Sequence, residues 1–183
     1  MLIAMAGLPG TGKSTLARRL AAVLPGIVLN KDRIRAALFP PAYIEYTMEQ
    51  DDFCVSIMLQ AASYLLRKDP DQYVILDGRT FSHRYQVDQL DQTAAQLAVP
   101  LAIIECVCSD ATARWRLERA AARARHPAAN RDYRLYLALK AHREPIREPK
   151  LVVNTDNDLS HCLDQCISYI KGIKLRRQAE DGS

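Results

Sequence analysis

Aromatic residues are scarce: three Phe, one Trp and eight Tyr stand among 183 residues. Interleaved aromatics on which bases could stack are correspondingly sparse, so nucleic acid is a possible partner and not the default one. No apolar run approaches the roughly 20 residues that a membrane-spanning helix needs, which excludes a membrane partner of that kind. The greasy start Met1–Ala6 lacks a basic leader, and Gly7 follows too soon for a secretion signal. Charge of one sign is not in large excess either: the net charge is +4, too mild to mark nucleic-acid binding by itself. Internal repeats, low-complexity tracts and domain linkers are all missing. Cysteines number five, Cys54, Cys106, Cys108, Cys162 and Cys166. An odd count without a secretion signal suggests reduced thiols and a cytoplasmic setting. A metal site from Cys106 and Cys108 with Cys162 and Cys166 is conceivable. The surrounding apolar residues favour four small hydrophobes in a strand and on a helix face.

What is present is a strand–helix alternation. Continuous apolar runs at Leu2–Ala6, Ile27–Asn30, Tyr73–Asp77, Leu101–Val107 and Leu151–Asn154 read as strands buried on both faces. Between them, Phe53, Ile57, Ala61, Tyr64 and Leu65 repeat at helical spacing, as do Val87, Leu90, Ala94 and Leu97. Thr47 and Gln50 have capping-box spacing, and Pro70 lies past the end of the same helix. The expected fold is α/β, three layers around a five-stranded parallel sheet. One domain is expected over residues 1–171, with a polar, fraying tail over 172–183.

The chemistry starts at Gly7-Leu8-Pro9-Gly10-Thr11-Gly12-Lys13-Ser14-Thr15, which fits G-x-x-x-x-G-K-[ST] between a strand and a helix. Glycines let backbone N–H groups turn inward around phosphate oxygens, and the following helix adds its positive end. Lys13 is expected to reach the β- and γ-phosphates of ATP. The Ser14 hydroxyl is expected to ligate Mg²⁺. The hydrophobic strand Tyr73–Leu76 ends in Asp77, a second candidate Mg²⁺ residue acting through water.

Three further features bear on what such a nucleotide site would do. Asn30-Lys31-Asp32-Arg33-Ile34-Arg35 follows the second strand, at the carboxyl edge where ligands sit in open α/β sheets. Asp32 could take a proton from an attacking hydroxyl, and Arg35, three residues on, could grip an anionic group on the acceptor. An N-cap followed by a solvated basic turn is the plainer alternative. Residues 114–134 hold Arg114, Arg116, Arg119, Arg123, Arg125, Arg131 and Arg134 against only Glu118 and Asp132. Arginine in such excess suits planar oxyanion recognition, and a lid over ATP within 114–136 is expected. A solvated basic face accounts for most of these arginines individually. No Asn-Lys-x-Asp stretch of the kind that selects GTP is present.

The phosphate loop, Asn-Lys-Asp-x-Ile-Arg, Val-Ile-Leu-Asp-Gly-x-x-Phe, the Arg-rich segment and Leu-Val-Val-Asn-Thr together resemble the small P-loop kinases. In particular they resemble the kinase domain of phage polynucleotide kinase and its relatives, the zeta toxins and chloramphenicol phosphotransferase. The resemblance covers roughly residues 1–170. It implies Asp32 as catalytic base, Arg35 as the arginine that orients the acceptor, Asp77 as the acid of the third strand, and Arg119 and Arg123 as lid arginines. It implies transfer of the ATP γ-phosphoryl group to a hydroxyl. The acceptor stays open among a 5′-hydroxyl nucleic-acid end, a nucleotide sugar, an antibiotic and a small metabolite. A regulatory ATP-binding or ATPase module without an acceptor is the rival reading.

Overall fold

The computed structural model describes residues 1–122 and 132–181. Its strands are β1 (Leu2–Ala6), β2 (Gly26–Asn30), β3 (Tyr73–Asp77), β4 (Leu101–Val107) and β5 (Leu151–Asn154). Its helices are α1 (Lys13–Val23), α2 (Lys31–Leu38), α3 (Met48–Lys68), α4 (Arg84–Gln96), α5 (Asp110–Ala122), α6 (Tyr133–His142) and α7 (Leu159–Asp181). The sheet is wholly parallel in the order β2-β3-β1-β4-β5. β1, in the middle, is buried along its whole length, and β2, at an edge, is half-buried throughout.

Alternate residues of β1, β3 and β4 feed opposite cores, whereas edge strand β5 turns Leu151 and Val153 into one core and leaves Val152 exposed. Ile3 and Met5 pack with Leu16, Leu20, Ile104, Cys106, Cys162, Cys166 and Ile170 beneath α1 and α7. Leu2, Ala4 and Ala6 pack with Val55, Met58, Leu76, Val87 and Leu90 beneath α3 and α4. A chain buried on two faces has no polar alternation to show, which is why these strands read as unbroken apolar runs. Cys106, Cys162 and Cys166 lie inside the first core as free thiols, and no metal-holding cluster occurs among the described residues.

Local caps define the helix starts. Thr47 accepts from the Gln50 amide at 3.2 Å, while the Gln50 side chain accepts from the Glu45 amide and donates to the Tyr43 carbonyl. Half of the expected capping box is therefore spent on fixing the preceding loop. At the other end of the chain, α7 continues as helix through Gly172 to Asp181, across the stretch where fraying was expected. Ile173 packs against the first core, and Lys174 lies 4.5 Å from the Tyr73 ring centroid, so the helix carries its own anchors past Gly172. No helix among the described residues is long and apolar enough to cross a membrane.

Candidate active site

The phosphate loop runs from the end of β1 into α1. Its backbone needs glycine for two separate reasons. At Gly7, φ is +124°, and an added Cβ would sit 2.2 Å from the Cys106 carbonyl oxygen. At Gly12, φ is +87° where the chain enters α1. Between them Leu8 and Pro9 are buried, and the Thr11 hydroxyl donates to the Leu8 carbonyl at 2.7 Å. Gly10 packs against α5, where its Cβ would meet the Ala113 carbonyl oxygen at 2.9 Å. Lys13 is buried, and its ammonium donates to the Leu8 carbonyl at 2.7 Å, so the charge lies across the mouth of the loop. Thr15 follows on the exposed side of α1.

Ser14, in the first turn of α1, donates to Asp77 Oδ1 at 3.1 Å. Asp77 is buried at the carboxyl end of β3, and its other oxygen accepts from Asn30 Nδ2 at 2.7 Å. The register explains the second contact, since Asn30 is the partner of Asp77 across the β2–β3 ladder. Ser14 and Asp77 thus bring together a hydroxyl and a carboxylate, the hard oxygen donors that suit Mg²⁺.

Asn30 has a second role as N-cap of α2, accepting from the Arg33 amide at 3.0 Å. The cap is therefore Asn30 and not Asp32. Asp32 lies inside the first turn, buried, with Arg35 Nη1 at 2.9 Å and Lys31 Nζ at 3.9 Å. The spacing of three between Asp32 and Arg35 does place them on one helix face, as the sequence suggested. Arg35 reaches on to Asp51 in α3, where Lys31 also pairs, and its guanidinium lies 5.1 Å from the Tyr46 ring centroid. Asp52, next in α3, pairs with Arg79 and accepts from the Tyr85 hydroxyl at 2.9 Å.

The arginine segment divides. Arg116 Nη1 donates to Thr155 Oγ1 at 2.8 Å and to the Gly10 carbonyl at 3.3 Å, and Nη2 donates to the Thr155 carbonyl at 2.7 Å. Thr155 Oγ1 in turn donates to the Thr11 carbonyl at 2.9 Å. Arg116 therefore clips α5 and the turn after β5 to the phosphate loop. Arg119 is exposed, its guanidinium 5.0 Å from the Trp115 ring centroid on the same helix. Arg123, the other expected lid arginine, lies outside the described residues.

Asp51, Asp52, Arg79 and Thr155 were not legible as site residues. Arg79 had a signal, standing two residues after the acid that ends β3. Thr155 stands one residue past β5, at the same sheet edge. Of the two aspartates, Asp51 lies in the first turn of α3, where an acid is favourable for the helix itself and so carries no separate signal.

A family model described as AAA domain matches residues 2–146. By sequence, no protein of curated function matches the chain. Solved structures match along almost the whole chain. A candidate kinase from Chloroflexus aurantiacus has a TM-score of 0.72 at 22% identity, covering 92% of this chain and 97% of the other. A gluconokinase from Sinorhizobium meliloti has a TM-score of 0.68 at 17% identity, covering 99% and 96%. Kti12 from Chaetomium thermophilum, solved with ADP-AlF3, has a TM-score of 0.68 at 21% identity, covering 93% and 99%. At these identities the likeness establishes the fold, a P-loop kinase arrangement around a parallel five-stranded sheet.

Proposed function

The chain belongs to the AAA domain family, and from that premise we propose that it is an ATP-dependent phosphotransferase that moves the γ-phosphoryl group to a hydroxyl. One observation carries the reading. A continuous chain of hydrogen bonds runs from Ser14 through Asp77 to Asn30, and Asn30 caps the helix that holds Asp32 and Arg35. The nucleotide end and the acceptor end of the site are thereby locked in one frame, which in-line transfer requires.

In this reading the amides of residues 7–15 and Lys13 hold the phosphates of ATP. Ser14 and Asp77 hold Mg²⁺, which supplies charge neutralisation at the phosphates when bound. Asp32 accepts the proton of the attacking hydroxyl while Arg35 fixes its carboxylate. Arg119 and Arg123 are proposed as lid arginines that offset charge on the transferring group. Protons and charge balance without a covalent enzyme intermediate: the acceptor oxygen gains the phosphoryl group, ADP leaves, and the proton passes to Asp32.

The test is paired. Radiolabelled γ-phosphoryl transfer is screened over 5′-hydroxyl oligonucleotides, nucleosides, sugars, sugar acids and antibiotics, and ATP affinity is measured by calorimetry. On the best acceptor, Asp32→Asn is expected to lose roughly 10²–10⁴-fold in turnover, the scale of general-base catalysis. Its ATP affinity is expected to stay within about threefold, because the group acts only in the transition state. Lys13→Ala is expected to lose nucleotide binding as well. If Asp32→Asn transfers normally, the base assignment fails. If the parent chain binds ATP and phosphorylates nothing, the regulatory nucleotide-binding reading takes its place.

A further inference from the structure

Arg35, paired with Asp32, and Arg79, two residues past the acid that ends β3, are buried arginines whose hydrogen bonding is incomplete. The Arg35 side chain is 2% exposed and the Arg79 side chain 4%. Arg35 Nε and Arg79 Nη1 are both buried and have no hydrogen-bond partner. A guanidinium offers five donors in a fixed fork, and burial normally demands that they be used. These two instead meet single oxygens of consecutive residues near the start of α3, Asp51 and Asp52. The partners are unlike the arginines in accessibility: the Asp51 side chain is 28% exposed and that of Asp52 35%. The cations are buried, and the carboxylates are in part open to water.

The wall is fixed from several sides. Gly78, between Asp77 and Arg79, packs so closely on α2 that an added Cβ would meet the Lys31 backbone nitrogen and Cβ at 3.1 Å each. The Tyr85 hydroxyl lies 3.4 Å from Arg79 Nη2 and accepts from Gln86 at 3.2 Å. Arg35 connects this wall directly to the proposed base, with one terminal nitrogen on Asp32 and the other on Asp51. A group that replaced Asp51 would therefore sit one guanidinium away from Asp32.

We infer that Arg79 and Arg35 form an oxyanion clamp for the phosphoryl acceptor, which Asp51 and Asp52 hold until the acceptor displaces them. The inference rests on the phosphotransferase reading and names its substrate class. The acceptor is a hydroxyl compound that also carries a carboxylate or a phosphate monoester. Its oxyanion engages the unused guanidinium edges, Asp51 and Asp52 turn to solvent, and its hydroxyl comes to Asp32. Formal charge favours the exchange. Lys31, Arg35 and Arg79 balance Asp32, Asp51 and Asp52 three against three, so an anion that turns two carboxylates outward leaves a cationic clamp around itself.

The experiment uses the full chain saturated with Mg²⁺ and a non-hydrolysable ATP analogue, so that the phosphate loop is filled. Methyl phosphate and, separately, acetate are titrated in by calorimetry. One of them is expected to bind at a single second site, and which one binds distinguishes a phosphate from a carboxylate acceptor. Arg79→Met should weaken that binding by about tenfold or more, the scale of a lost charge-assisted pair, with nucleotide affinity held within about threefold. Asp52→Asn should strengthen it by about threefold, because a competing charge is gone. If Arg79→Met does not fold, the Asp52→Asn titration carries the test alone. Nucleotide binding with neither anion bound, unchanged anion binding in Arg79→Met, or weaker binding in Asp52→Asn overturns the clamp. A parent chain that fails to bind the nucleotide analogue overturns the phosphotransferase reading itself.

Discussion

Burial decides what the cysteines can do. Cys106 lies under the phosphate loop and Cys166 faces it from α7, both without exposure. Removal from water pushes each thiol up to about 12. Cys108, half-buried near Arg116, is also raised, with burial the larger effect and the nearby guanidinium opposing it. The sign for stability follows from linkage. Below about pH 9 both thiols are protonated whether the chain is folded or not. Above it the unfolded chain gives up those protons first, so stability falls as pH rises from about 9 toward 12. Each thiol contributes a slope of up to about 1.4 kcal/mol per pH unit in that window. Urea denaturation at a series of pH values should show the decline, and Cys166→Ala should make it shallower. A slope that Cys166→Ala leaves unchanged would place the alkaline sensitivity elsewhere. At this scale the sequence was informative. Apolar neighbours marked the thiols as core residues, and the spacing of Asp32 and Arg35 put them on one face. It placed Arg79 two residues after the acid that ends β3 but could not show its burial, because its partner Asp52 comes from α3, more than 20 residues away in the chain.

Elements carry the same lesson in a different form. All five strands were legible to within one residue: β1, β3 and β4 are buried on both faces and write that burial into consecutive positions, and the edge strands β2 and β5 keep apolar runs although they are only partly buried. The order β2-β3-β1-β4-β5 was not, since order depends on which helices cross which face. Helix α6 went unread although Tyr133, Tyr136 and Leu139 recur at helical spacing and pack with Leu8, Ala113 and Leu117. The Tyr136 hydroxyl and Lys140 ammonium add a polar hold on α5, both donating to Asp110 at 2.6–2.7 Å. The arginines of α5 illustrate how one helix can divide its labour. Arg116 spans three backbone or hydroxyl acceptors with a planar fork, a geometry that a lysine cannot reproduce. Arg116→Lys should therefore destabilise the fold by about 1.5–3 kcal/mol, the scale of hydrogen bonds to a charged group. Arg119→Ala, at an exposed position, should change stability by less than about 0.5 kcal/mol. If Arg119 serves as a lid arginine, its loss should appear instead in turnover, by roughly 10²-fold or more. Urea denaturation and transfer kinetics on the two variants separate these roles. Equal loss of stability in both would assign the segment a structural function only.

At the scale of the whole molecule, two apolar cores clamp one sheet, and the phosphate loop, Ser14, Asn30, Asp32 and Asp77 gather at its carboxyl edge, beside a smaller apolar cluster of Leu8, Ala113, Leu117 and Tyr136. The phosphate loop closes over the end of β1, Asp77 ends β3, and Asn30 ends β2, so three neighbouring strands converge on one ligand position. A ligand held there binds the folded chain and has no counterpart in the unfolded one, and its affinity must therefore appear as stability. With the ATP analogue at a hundred times its dissociation constant, linkage sets the gain at about 2.7 kcal/mol. For a chain of this length that corresponds to a rise in melting temperature of roughly 5–11 °C. The rise should be largest with Mg²⁺ and should shrink when EDTA removes the metal, because the proposed metal residues Ser14 and Asp77 then have no cation to link them to phosphate. Asp77→Asn should already show the reduced rise in the presence of Mg²⁺. Lys13→Ala should abolish most of the rise, and Asp32→Asn should keep it, since the proposed role of Asp32 is toward the acceptor and not the nucleotide. Thermal melts of the four proteins, with and without metal, read all of this without any acceptor being known. A rise that survives Lys13→Ala would mean that the nucleotide binds away from the phosphate loop. One that Asp77→Asn leaves whole would strip Asp77 of its part in holding the metal.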